Sequence, residues 1–186
     1  MIRPIPSPSL PLSAEEAVVS ILAATRQHEV HGKKRLHKTI FLCTFCDAPI
    51  RARFSIRHFG VFSLEIAGAL DLLTTFGDLK MREEQIGPNG YFATVYVLPE
   101  KPKYKVNPII VKVVDMLEKY STPSLEVAST VAYFLKQGLP EQDAMRETKR
   151  IKPDLSTSAQ FTVTKALLKG LAGLRASTDG QRPKNS

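Results

Sequence analysis

Leu79-Lys80-Met81-Arg82-Glu83-Glu84-Gln85-Ile86-Gly87-Pro88-Asn89-Gly90-Tyr91-Phe92-Ala93-Thr94-Val95-Tyr96-Val97-Leu98 is the stretch that decides the fold class. Two strand-like runs flank Gly-Pro-Asn-Gly, whose residues supply the special dihedrals of a tight turn, so the stretch reads as a β-hairpin. Just before it, Ser63 to Thr75 follows the helical period. Ile66, Leu70 and Leu73 form one face, and Leu64, Ala67, Ala69 and Leu72 cover most of the rest. That all-round apolarity predicts a helix buried against several neighbours and ending near Gly77. Further upstream, Arg53-Phe54-Ser55-Ile56-Arg57-His58 alternates as a short strand does, and Gly60 turns the chain into the helix.

Working outward, Ser13 and Glu16 form a capping box for a first helix that carries Val18, Ile21 and Leu22 and should run to about Gly32. A second helix spans Lys33 to Cys46, with Leu36, Ile40 and Cys43 on one stripe. Basic residues crowd its first turns, where they oppose the helix dipole at a few tenths of a kcal/mol each. Helix, strand, helix, hairpin is the order of a winged-helix core. Beyond it, Asn107-Pro108, Thr122-Pro123 and Ser156-Thr157 each open a helix, and Glu141 to Arg150 makes a short polar one closed by Pro153. The expected class is therefore α+β and mostly helical: a winged-helix-like core with a β-hairpin wing and a C-terminal helical extension. In segments, residues 1–11 form a disordered Pro-rich tail and 12–100 the core. Residues 101–175 form a helical extension packed on the core, and 176–186 a disordered tail.

Composition excludes several function classes. Hydrophobic residues at 43% and charged residues at 24% are globular values, and no window approaches the roughly 18 apolar residues of a membrane span. Four prolines within the first 13 residues stand where a signal peptide would need an apolar stretch, so a cytoplasmic protein without membrane contact is expected. The two cysteines exclude a disulfide scaffold. The net charge of +8 favours an acidic or phosphate-bearing partner, although part of it sits at Arg175, Arg182 and Lys184 near the end of the chain.

Three stretches carry a family likeness: Gly32-Lys33-Lys34-Arg35-Leu36-His37-Lys38-Thr39-Ile40-Phe41-Leu42, then His58-Phe59-Gly60-Val61-Phe62-Ser63, then Lys152-Pro153-Asp154-Leu155-Ser156. They resemble the YwgA-like family of uncharacterised prokaryotic proteins and, more distantly, the Panacea or SocA-like antitoxin domain. In that pattern the second block usually reads Tyr-Gly-Pro-Tyr-Ser; here Val61 and Phe62 replace its proline and second tyrosine. The resemblance implies a winged-helix-like fold in a regulatory or antitoxin-type setting. It supplies no catalytic residue.

No site for catalysis, metal or cofactor is expected. Cys43-Thr44-Phe45-Cys46 with His28 and His31 could be drawn as a zinc site. One C-x-x-C without a second knuckle, inside a predicted helix, instead reads as two small buried hydrophobes. Nor is there a nucleophile elbow, a phosphate-binding loop or an H-E-x-x-H. Two binding constellations stand out. Lys33, Lys34, Arg35 and Lys38, with Lys80 and Arg82 from the hairpin, would form a basic surface for nucleic acid, DNA ahead of RNA. Ser63 caps a helix whose free amides, with Arg57 and His58 nearby, would hold a phosphate or carboxylate. The helix in the recognition position carries Glu65 and Asp71 and no base-reading side chain, so the wing or the second helix would have to contact DNA. The leading expectation is thus a non-enzymatic regulatory or accessory protein engaging nucleic acid through that surface. The alternative is an antitoxin-like or adaptor module, of a toxin-antitoxin or defence system, that recognises another protein.

Overall fold

Ser13 and Glu16 do close the expected box: Ser13 Oγ accepts from the Glu16 amide at 3.2 Å, and the Glu16 carboxylate accepts from the Ser13 amide at 2.8 Å. The helix they open, α1, spans Ala14–Ala24. This computed structural model describes residues 11–58, 60–86 and 91–179. The expectations for the first ten residues, the turn at residues 87–90 and the end of the chain therefore lie outside the described residues.

α1 stops well short of Gly32. The Thr25 hydroxyl donates to the Leu22 carbonyl at 2.7 Å, His28 adopts φ 56°, and the chain returns as strand β1, Glu29–His31. Gly32, at φ 86°, then turns it into α2, Lys33–Phe45. The expected short strand is β2, Ser55–Arg57. It pairs antiparallel with a strand that the sequence reading did not resolve, β3, Gly60–Phe62. Next come α3, Leu64–Thr75, and the hairpin of β4, Lys80–Ile86, and β5, Tyr91–Val97. β1 adds to the hairpin, giving an antiparallel sheet in the order β1-β5-β4.

Four helices follow: α4, Pro108–Glu118; α5, Thr122–Lys136; α6, Glu141–Ile151; and α7, Ser158–Asp179. Pro108 and Pro123 sit in first turns, where a missing N–H costs nothing, and Asn107 and Ser121 supply the caps. α7 continues through Ala176, the expected start of a disordered tail.

The protein is mixed α+β and mostly helical, with two small antiparallel sheets. Its core is one cluster that draws on both halves of the chain, from Ala17, Ile21 and Leu36 to Ile110, Leu125 and Leu171. α5 is its centre. Ser124 through Ala132 are all buried, under α2, α6, α7 and β3. No helix among the described residues is long and apolar enough to cross a membrane.

The expected burial of α3 on every side is corrected by the structure. Ile66, Ala69, Leu70 and Leu73 face the core, but nothing covers the opposite side among the described residues. There Leu64 is 67% exposed, Leu72 50% and Phe76 75%.

Candidate functional site

The cations that open α2 are each tied to a partner. Lys33 Nζ lies 2.8 Å from Asp71 on α3. Arg35 donates to the carbonyls of Tyr120 at 2.8 Å and Leu117 at 3.0 Å, so its guanidinium serves the negative end of α4. Lys34 Nζ lies 3.4 Å from Glu126 on α5. These long-range partners offset the dipole penalty of a cationic first turn.

Lys38 is the larger surprise. It was expected on an exposed basic face; instead it is 2% exposed, and its Nζ donates to the Val61 carbonyl at 2.8 Å. Lys152 reaches the same place from beyond α6. Its Nζ donates to the His58 carbonyl at 2.7 Å and sits 2.6 Å from the Glu126 carboxylate, with both side chains under one-tenth exposed. Burial pulls the Lys38 ammonium down to about 8, against the attraction of Glu126. Two buried lysines thus hold the β2-β3 hairpin by its carbonyls, with Glu126 as counter-charge. Gly60, at φ 85°, makes the turn and lies beside the stems of Lys38 and Glu126.

All three stretches with the family likeness meet here: Lys38 from the first, His58 to Val61 from the second, Lys152 from the third. Phe62 stacks on His37 with ring centroids 4.6 Å apart, a contact that needs the aromatic ring and no hydroxyl. The His37 Nδ1 accepts from the Ser63 amide at 3.3 Å, while its Nε2 is buried without a partner among the described residues. Burial, reinforced by Lys38 and Lys33, drops the ring to about 4.

The expected anion constellation does not assemble. Ser63 is 1% exposed; its hydroxyl accepts from the Ile66 amide at 3.3 Å and donates to Glu65 at 2.9 Å. Arg53, 3.0 Å from the Glu65 carboxylate, helps hold it at about 2, so this helix end already carries its own anion. Strand register puts Arg57 opposite Gly60, at the other end of the hairpin from Ser63. His58 enters the arrangement of Lys38, Lys152 and Glu126 on the hairpin, a latch, through its backbone carbonyl.

Lys80 and Arg82 are both on the exposed surface of β4, as expected, but Arg82 is engaged. It bonds Glu29 and Glu84 at 2.9 Å each, and His31 adds a 3.1 Å contact to Glu29. Glu29, His31 and Glu84 bring ligand atoms within 4.8 Å of one another, yet the Arg82 guanidinium already bonds both carboxylates. Cys43 and Cys46 are free and buried. Burial raises the first thiol well above its usual value and pushes the second up to about 12, which opposes the thiolate that zinc or redox chemistry requires.

Sequence reasoning missed Glu126, the outward face of α3, and a lysine ridge. Lys101, Lys103 and Lys105 are exposed, alternate with half-buried Pro102, Tyr104 and Val106, and carry no ion pair among the described residues. Glu126 had a legible signal, as a lone carboxylate in a run of small and apolar residues.

The sequence is similar to the uncharacterized protein YwgA of Bacillus subtilis (strain 168), at 26% identity over an alignment of 130 residues that covers 67% of this chain and 76% of that protein. The likeness supports a YwgA-like family. No protein-family model matches the sequence. No solved structure matches it at a significant level.

Proposed function

We propose that the protein is a non-catalytic binding module with a winged-helix-like core, and that it recognises another protein through the outward face of α3, in an adaptor or antitoxin-like role. Support for the core comes from the element order and from the antiparallel order β1-β5-β4, with the β2-β3 hairpin inserted between the second and third helices. In a helix-turn-helix arrangement the recognition helix enters the DNA major groove. Here the corresponding surface is Leu64, Gly68, Leu72 and Phe76 with Asp71, and it offers none of the arginine, asparagine, glutamine or lysine that reads base edges. That face carries the reading: exposed large apolar side chains in a row mark a protein contact. The non-catalytic part draws on the groups whose chemistry suits a nucleophile and base. Ser63, His37 and both cysteines are buried in structural roles. The Panacea resemblance, with its antitoxin setting, agrees with a protein partner.

The test is purification from the cells that make the protein, after nuclease and in high salt, with the Leu72→Glu/Phe76→Glu double variant alongside. Both side chains are at least half exposed, so the fold should be nearly unaffected. A stoichiometric partner that the variant loses supports the reading; a partner kept by the variant refutes this face.

A second reading, an accessory protein that engages nucleic acid, is favoured by Lys101, Lys103 and Lys105, which have no ion pair among the described residues, and by exposed Lys80. Fluorescence anisotropy with duplex DNA and single-stranded RNA across a salt series tests it. A steep salt slope that falls when those four lysines become alanine supports it, and absence of binding at low salt refutes it.

A further inference from the structure

A cleft of about 410 Å³ lies between the first turns of α1, the end of α3 and the segment after β5. Its floor is Val19, Leu73, Leu98 and Tyr104, and Tyr104 is anchored by its hydroxyl to Ser20 Oγ at 3.3 Å. Its rim is Glu15, Asp78 and Glu100. In a chain of net charge +8, most carboxylates are tied to a cation; among the described residues these three have no ion pair within 4.0 Å. The C-terminal end of α3, which has no basic residue in its last turn, adds its negative pole beside Asp78. Lys101, Lys103 and Lys105 alternate with the lining residues Pro102 and Tyr104 and do not themselves line the cleft.

We infer that this cleft docks a basic peptide segment of the partner, an apolar side chain on the floor with arginine or lysine at the carboxylate rim. Charge complementarity selects the occupant, and the volume suits one or two side chains. The inference rests on the protein-binding reading, because the cleft starts at Gly77, directly after the exposed Phe76. A partner lying along α3 runs into it.

The experiment is methyl NMR of the full chain titrated with the synthetic peptide acetyl-Arg-Leu-Ala-Leu-Arg-amide, and with its counterpart carrying glutamate for arginine. The arginine peptide should shift the methyls of Val19, Leu73 and Leu98 and bind at about millimolar Kd or tighter; the glutamate peptide should bind about tenfold more weakly. Glu15→Gln/Asp78→Asn/Glu100→Gln should weaken the arginine peptide about tenfold. Asp143→Asn/Glu147→Gln on α6 removes charge elsewhere and should leave binding within about twofold. Floor methyls that stay still at millimolar peptide overturn the proposal, as does equal loss in the two variants, which means general attraction to net charge. Failure here, with the partner still lost in Leu72→Glu/Phe76→Glu, removes the cleft and keeps the α3 face. Failure of both removes the protein-binding reading.

Discussion

Replacing Glu126 by glutamine keeps the shape of the side chain and removes the counter-charge that Lys34, Lys38 and Lys152 share. Lys38 and Lys152 are almost fully enclosed, so neither can turn to water without pulling its bond from the hairpin carbonyls. Breaking a buried ion pair by deleting one partner costs about 3–5 kcal/mol, because the remaining charge is left desolvated. For a chain of this length that lowers Tm by roughly 6–20 °C. The pH dependence gives a second readout. Lys38 sits at about 8 when folded against 10.5 when free, so between those values the unfolded chain binds more protons and this group's contribution to stability rises with pH. Over that window it recovers about 3 kcal/mol, measured as the difference between the parent protein and Lys38→Met. In Glu126→Gln the Lys38 value falls further, since the carboxylate is what raises it, and the window widens toward neutrality. Urea unfolding at several pH values measures both. A loss under about 1 kcal/mol for Glu126→Gln, with the window unmoved, refutes the latch.

His37, at about 4 against a free value of 6.5, contributes stability that is complete above pH 6.5 and is lost as pH falls toward 4; His37→Gln should flatten that slope, of about 3 kcal/mol, in acid unfolding followed by circular dichroism. Gly60→Ala should cost about 1–3 kcal/mol through its φ of 85°, since a Cβ there meets its neighbours only at ordinary contact distances of 3.4 Å and more; a loss indistinguishable from zero in urea melts contradicts the strain argument. Cys43 and Cys46 should react with a thiol reagent only at the rate of unfolding, and rapid labelling of native protein would show the thiols to be reachable.

Local chemistry made much of the fold readable. The Ser13 box, the Asn107 cap, the Thr122-Pro123 helix start and the β4-β5 pattern each specify an element from residues within a few positions of one another, although the cap of α5 proves to be Ser121, one residue before that start. β1 was hidden because three residues with one inward side chain, Val30, have no period to detect; its existence depends on Val95 to Val97 across the sheet. The α3 error had a different origin. Leu64 and Leu72 look like core residues in any helical projection, and only the arrangement of neighbours reveals which side of an apolar helix is left open. At the latch, nothing local distinguishes Lys38 from Lys33 and Lys34. One turn of helix carries it inward, toward a carboxylate 88 positions later in the chain.

The latch also orders events during synthesis. The carbonyls at positions 58 and 61 leave the ribosome soon after Lys38, but Glu126, in α5, and Lys152, after α6, follow much later. Until they emerge, the small hairpin has a donor from one side only, and the groove that α5 will fill stays open to solvent. Such long-range closure slows folding and leaves apolar surface exposed in the nascent chain. Truncations ending before residue 152 should therefore bind chaperones in a translation extract, and chains extending past it should let go.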